Sequence, residues 1–320
     1  MAKVVVTGKI PAGGLERLKA EHDVTAWESD DAISRNELLS MVAGADAIVS
    51  LLTEKIDDEL LDAAGPQLQS VSNVAVGYNN IDVPACEKRG VLVTNTPGVL
   101  TEATADIAMS LILMATRRLG EGERVIRAQE PWQWGMFYML GMGLQGRQLG
   151  IVGMGQIGIA TARRAKAFGM NIAYTRRSPL EDNVVKELDA KYMSMDELIE
   201  SSDVLSLHCP YSPATHHLMS ENQFARMKKT AFLINTARGP IVHEQALVDA
   251  LKSGQIAGAG LDVFENEPAV NPGLLELDNA VLIPHLGSAT VETRAAMADI
   301  AATNALAILA GAQAPNLVTS

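Results

Sequence analysis

The sequence predicts an α/β protein built from two doubly wound, parallel-sheet domains. Three observations carry this. Short β-branched runs alternate with helical patterns along most of the chain, the pattern of βαβ units. A Gly-x-Gly-x-x-Gly segment, Gly153–Gly158, sits between one such run and one helical stretch. The 320 residues, 48% of them hydrophobic, are also more than a single core normally organises.

The elements follow in order. Strands are expected at Val4–Thr7, Asp23–Ala26, Ala47–Ser50, Leu68–Asn73 and Val91–Thr94, with helices at Gly13–Glu21, Ser34–Val42 and Pro84–Arg89 among them. Thr101–Arg118 is a long helical segment with small and apolar residues on more than one face, so it is expected to be buried all round, between domains. A second series places strands at Gln148–Gly153, Met170–Thr175, Val204–His208, Ala231–Asn235, Ala257–Asp262 and Ala280–Ile283. The Ala-rich stretch Val291–Ala310 is read as a last helix that crosses back to the first domain.

Charge and composition narrow the class of function. A formal net charge of −12, without a local basic patch, disfavours nucleic acid and anionic membrane as partners. No apolar run reaches the roughly 18 residues of a membrane span. The opening Met1–Gly8 reads as a strand, too brief for the apolar core of a signal peptide, so a cytoplasmic location is expected. Cys86 and Cys209 lie far apart with no metal-type spacing, and the adjacent His216 and His217 lack the i,i+4 spacing of a zinc site, so no metal is expected.

The glycine segment carries the first chemical reading. Its first glycine permits a tight turn, its second lets the backbone approach a pyrophosphate, and its third lets a helix pack close with its N-terminal N–H groups facing phosphate. Gly153, Gly155, Gln156, Ile157 and Gly158 are therefore candidate dinucleotide-binding residues. At the end of the next strand, where an NAD site places a carboxylate for the ribose 2′-hydroxyl, stand Thr175, Arg176 and Arg177. Guanidinium groups suit a 2′-phosphate, so NADP (as NADPH) is the preferred cofactor, with NAD possible.

Three later segments hold the reactive side chains: Asn235–Gly239, Gly260–Pro268 and Pro284–Thr290. Reduction of a 2-oxo acid needs a cation for the carboxylate and carbonyl and a proton donor for the developing alkoxide. Arg238 suits the first role and His285 the second, with Glu267 as the carboxylate that supports a protonated imidazole. The other histidines, His22, His208, His216, His217 and His243, offer no comparable setting, although His208 ends a strand where a cofactor could touch it.

These segments, in this order and together with Val74–Asp82, resemble the D-isomer-specific 2-hydroxyacid dehydrogenases, and within that family the glyoxylate and hydroxypyruvate reductases. The resemblance covers essentially the whole chain. It implies two Rossmann-like domains, the cofactor domain (99–289) inserted in a discontinuous substrate-binding and catalytic domain (1–98 and 290–320). It implies catalysis by Arg238, Glu267 and His285, and substrate contact through Val76, Gly77, Leu52, Arg238, His285 and Trp134, the last reaching across a homodimer from Pro131–Trp134. It further implies cofactor contact through His208, Cys209, Pro210, Thr236, Ala237, Asp262 and Gly287. The small-molecule partner is then a 2-oxo or 2-hydroxy acid. Lactate-, phosphoglycerate- or phosphite-type activity, and a nucleotide-sensing corepressor, remain open alternatives.

Overall fold

The structure is a computed structural model describing residues 1–318. It divides into two compact units: Met1–Leu100 together with the chain from Ala289 onward, and Thr101–Ser288.

The first unit runs β1 (Lys3–Val6), α1 (Ala12–Glu21), β2 (Asp23–Ala26), α2 (Arg35–Val42), β3 (Ala47–Ser50), α3 (Asp58–Ala64), β4 (Ser70–Asn73), α4 (Val83–Lys88) and β5 (Leu92–Thr94). The five strands form one parallel sheet in the order β2-β1-β3-β4-β5. The middle strands are buried on both faces, which is why they read as apolar runs rather than as an alternation. Ser34 and Glu37 form a capping box that starts α2, while Asp57 and Asp82 cap α3 and α4.

The second unit continues with α5 (Thr101–Thr116), α6 (Leu119–Arg127), β6 (Gln148–Val152), α7 (Gln156–Ala167), β7 (Asn171–Thr175), α8 (Asp182–Leu188), β8 (Lys191–Tyr192), α9 (Met195–Ser201) and β9 (Val204–Leu207). Next come α10 (Glu221–Arg226), β10 (Phe232–Asn235), α11 (Glu244–Lys252), β11 (Gly258–Leu261), α12 (Pro272–Leu275) and β12 (Ala280–Leu282). Its seven strands are parallel, in the order β12-β11-β10-β9-β6-β7-β8. Alternate residues of these strands face opposite sides. Leu205, Leu207 and Leu233 enter one apolar core, and Leu149, Ile151, Val204 and Ile234 enter the other. Each such buried aliphatic side chain stabilises the fold by about 1.5–3 kcal/mol relative to an exposed one.

The last helix, α13 (Val291–Leu309), belongs to the first unit and lies against α1. A Cβ on Gly14 would fall 2.6 Å from the Ala298 carbonyl, so the two backbones approach as only a glycine allows. Arg17 adds hydrogen bonds to the Asp299 carbonyl and the Thr303 hydroxyl.

Two expectations are corrected. Helix α5 is not buried all round: Glu102, Asp106 and Ser110, spaced by four, form an exposed stripe, and the two acids pair with Arg164 of α7. Its abundant Ala and Thr hid that polarity. The helical pattern also stops at Thr116, and α6 follows with no buried residue, its propensity lowered by Gly120 and Gly122.

Candidate active site

The second unit gathers its chemistry at one edge of its sheet. Strands β6, β7, β9, β10, β11 and β12 are parallel, so the loops leaving their carboxyl ends emerge on one side. The chain order reverses between β6 and β9, and a crevice opens at such a switch point.

The glycine turn leaves β6. Gly153 has φ +91, and a Cβ there would collide with the backbone N of Cys209, so glycine is required by the fold itself. A Cβ on Gly158 would lie 3.0 Å from the Gly153 carbonyl and 3.2 Å from Ile151, which ties the start of α7 close to the strand. Gly155 is different: its φ is −91, and no protein atom lies within 4 Å of a built Cβ. Nothing in the protein demands glycine at 155. A bare backbone offered to a pyrophosphate does. The residues thus fit a dinucleotide, with Gln156 and Ile157 opening the 12-residue helix α7, whose N–H groups face the same turn.

Thr175 ends β7, and its carbonyl accepts the Gly153 N–H at 3.0 Å. Arg176 and Arg177 are exposed and make no ion pair among the described residues. Arg176 donates to the Met154 carbonyl at 3.2 Å, which holds its guanidinium over the glycine turn. Beyond β9, His208 bonds Ser206 at 2.8 Å; burial pushes its imidazole down to about 4, so it is neutral near pH 7. Cys209, whose thiol burial pushes up to about 11, supplies the backbone that confines Gly153. Pro210 is exposed.

Beyond β10 the turn is fastened internally. Asn235 receives the Ala237 N–H and donates to the Arg238 carbonyl, both at 3.0 Å. The Thr236 hydroxyl is buried without a protein partner among the described residues. Burial pushes the half-buried Arg238 guanidinium below its usual value, and the Glu267 charge opposes that shift. Gly239 passes so close to the Phe264 carbonyl that a Cβ could not be placed, which holds the Arg238 turn against the loop leading to Glu267.

His285 follows β12 with φ +52, a conformation side chains seldom adopt, and Nδ1 meets Glu267 Oε2 at 2.8 Å. Burial raises the Glu267 carboxyl, but the His285 hydrogen bond and charge, the Phe264 N–H and the Arg238 charge outweigh it and leave the group below its ordinary value. Buried Asp262 fixes the turn, accepting the Leu286 and Gly287 N–H groups at 2.5 and 2.8 Å, while its own carbonyl takes the His285 N–H at 2.9 Å. Burial raises the Asp262 carboxyl above its usual value.

The remaining candidates lie outside this edge. Val76 and Gly77 follow β4 in the first unit, their carbonyls tied by Asn95 (2.8 Å) and Asn73 (3.0 Å), and their N–H groups reach no protein acceptor among the described residues. Leu52 is half-buried after β3. Trp134 is 76% exposed in a segment that also bares Trp132, Met136, Phe137 and Leu140. The sequence reading missed one feature: His217 Nε2 meets Glu265 Oε1 at 2.5 Å, a further imidazole–carboxylate pair on the loop that leads to Glu267. The pair joins residues 48 apart, so no local spacing announced it. Among the described residues, no group of three or more His, Cys, Asp or Glu could hold a metal ion, and no helix is long and apolar enough to cross a membrane.

A parallel sheet with a dinucleotide turn, and an Arg, Glu and His at the same edge, defines a nicotinamide-dependent oxidoreductase. The comparisons agree. Residues 109–287 match the D-isomer specific 2-hydroxyacid dehydrogenase, NAD binding domain. A glyoxylate reductase of Korarchaeum cryptofilum is 48% identical over 99% of this chain and 95% of its own. Among solved structures, a glyoxylate reductase from Paecilomyes thermophila superposes with a TM-score of 0.89 at 36% identity, covering 99% of this chain and 98% of that one. An NADPH-dependent glyoxylate/hydroxypyruvate reductase from Sinorhizobium meliloti, in complex with NADP and malonate, gives 0.85 at 36% identity, covering 99% and 97%. The chain belongs to the D-isomer-specific 2-hydroxyacid dehydrogenase family and is an NAD(P)-dependent oxidoreductase.

Proposed function

We propose that the chain is an NADPH-dependent reductase of small 2-oxo acids of the glyoxylate and hydroxypyruvate type. The observation that carries this is the His285–Glu267 contact of 2.8 Å on the sheet edge that also bears Arg238 and the glycine turn. The bound cofactor supplies hydride to the carbonyl carbon. Arg238 neutralises the substrate carboxylate and polarises the carbonyl. Because Nδ1 of His285 is held by Glu267, Nε2 is the atom left to deliver a proton to the carbonyl oxygen. Glu267 orients the ring and balances its charge. The Val76 and Gly77 amides are proposed as donors to the substrate carboxylate, with Leu52 and Trp134 shaping the pocket.

Support for NADPH over NADH comes from Arg176 and Arg177 with no carboxylate at Thr175, and from the Sinorhizobium meliloti relative solved with NADP. His208, Cys209, Pro210, Thr236, Ala237, Asp262 and Gly287 belong to the same proposal as cofactor neighbours, the unpartnered Thr236 hydroxyl being suited to a carboxamide. The exposed Trp132, Trp134, Met136 and Phe137 are proposed as surface covered in a homodimer.

Initial rates with glyoxylate, hydroxypyruvate, pyruvate and phosphohydroxypyruvate, each with NADPH and NADH, test the reading. Fast NADPH-linked reduction of the first two is expected. Equal rates with NADH overturn the cofactor assignment, and turnover only of another acid overturns the substrate class.

A further inference from the structure

Two residues before Glu267 on the same loop, Glu265 pairs with His217, and this pair is wired to both loops that supply groups of the proposed reaction. His217 lies between β9 and α10 with φ +49. Its backbone N–H donates to the Pro240 carbonyl at 2.9 Å, on the turn that leaves Arg238. Its Nε2 holds Glu265 at 2.5 Å, on the loop that ends in Glu267. The neighbouring Met219 and Val242 form an isolated parallel bridge, so the segment behaves as a short strap across the Arg238 turn.

Glu265 is fastened a second time. Its Oε2 accepts the N–H of Glu244, the first residue of α11, at 3.2 Å, and Glu244 Oε1 accepts the Glu265 N–H at 2.5 Å. The two glutamates therefore cap each other's backbone. Glu244 is 5% exposed, and its carboxyl is raised by burial. The Glu265 carboxyl, by contrast, lies below its usual value: burial raises it, but the His217 and Glu244 N–H bonds outweigh that. Two carboxylates packed beside a third are a costly way to fill space compared with apolar side chains. What they provide is direction, since every oxygen used points at a donor on a different loop.

We propose that Glu265, held by His217, is a positioning residue: it fixes the 264–267 loop so that the Glu267 carboxylate stays on Nδ1 of His285 and beside Arg238. This rests on the assignment of Glu267 and His285 above. Charged and titratable groups face both ends of the strap. Around His217 stand Glu265, His243 at the start of α11 (ring centroids 4.7 Å apart), Glu221 at the start of α10, and His216 stacked at 3.8 Å with Tyr211 beyond it. Around Glu267 stand His285, Arg238, Glu244 and Asp262.

The test compares wild type with His217→Leu, His217→Gln, Glu265→Gln and Glu267→Gln, measuring kcat, the KM values for glyoxylate and NADPH, and the acid limb of the kcat profile. His217→Leu is expected to lower kcat about tenfold at nearly unchanged KM for NADPH. With Glu267 released from His285, the acid limb should move up toward the ordinary carboxylate value of about 4.3. His217→Gln, whose side-chain N–H can reach Glu265, should recover most of both. A His217→Leu enzyme with kcat and acid limb within twofold of wild type overturns the inference, as does a Gln variant no better than Leu. Should His217→Leu not fold, Glu265→Gln decides: a raised acid limb supports the inference and an unmoved one overturns it. If Glu267→Gln is fully active, the assignment of the acid pair fails first. If Glu267→Gln is crippled while the His217 variants are not, only the positioning role fails.

Discussion

Replacing Glu267 with Gln keeps the shape of the side chain and removes its charge. Glu267 and His285 touch at 2.8 Å, with side chains 29% and 27% exposed. Two unit charges about 4 Å apart interact by about 4 kcal/mol at the effective dielectric of a protein surface. Solvent contact screens part of that, leaving about 3 kcal/mol to support a protonated His285 as it approaches the carbonyl. The expected loss is about a hundredfold in kcat, with KM for NADPH unchanged. The pH profile adds a sign. The folded Glu267 carboxyl lies below its ordinary value, so the ionised form persists as pH falls until that lower value is reached. In wild type the acid limb of kcat should lie below the ordinary carboxylate range, and in Glu267→Gln that limb should vanish. The assay is steady-state glyoxylate reduction followed by consumption of reduced nicotinamide. A variant within threefold of wild type, or one that keeps the acid limb, refutes the reasoning.

Three further outcomes are expected. Gly153→Ala should lower stability by about 3 kcal/mol through its positive φ and the clash with Cys209, whereas Gly155→Ala should leave Tm unchanged and weaken NADPH binding at least about tenfold; thermal melts and titrations of the two variants check the contrast. Arg176→Ala with Arg177→Ala should raise KM for NADPH about tenfold or more while leaving KM for NADH unchanged, as read from rates with each cofactor. Burial pushes the folded His208 imidazole from 6.5 down to about 4, so the unfolded chain binds more protons between those values and stability falls as pH drops through them, by about 3 kcal/mol in all; denaturant melts across that range should show a flatter dependence of stability on pH in His208→Gln.

Most strands were legible because a parallel sheet buries both faces, and Ala47–Ser50 or Val204–Leu207 then stand out as apolar runs. The glycine turn was legible because its spacing sits between a strand and a helix, and the Arg, Glu and His because each lies in a segment that follows a strand of that series. Short helices such as α8, α9 and α10 left little periodic signal over their six or seven residues. Helix α6 buries nothing and carries two glycines, so propensity does not mark it although its apolar and charged residues separate onto opposite faces. The strap through His217, Glu265 and Glu244 depends on contacts between residues 48 and 21 positions apart, which spacing within a loop cannot express.

The central claim is that His285 delivers the proton while the rest of the edge holds cofactor and substrate. A single-turnover measurement with NADPH-loaded wild type and His285→Ala, mixed with glyoxylate, addresses it directly. The account predicts unchanged NADPH affinity and a loss of about a thousandfold in the reduction step in the variant. Reduction at the wild-type rate by His285→Ala would contradict it.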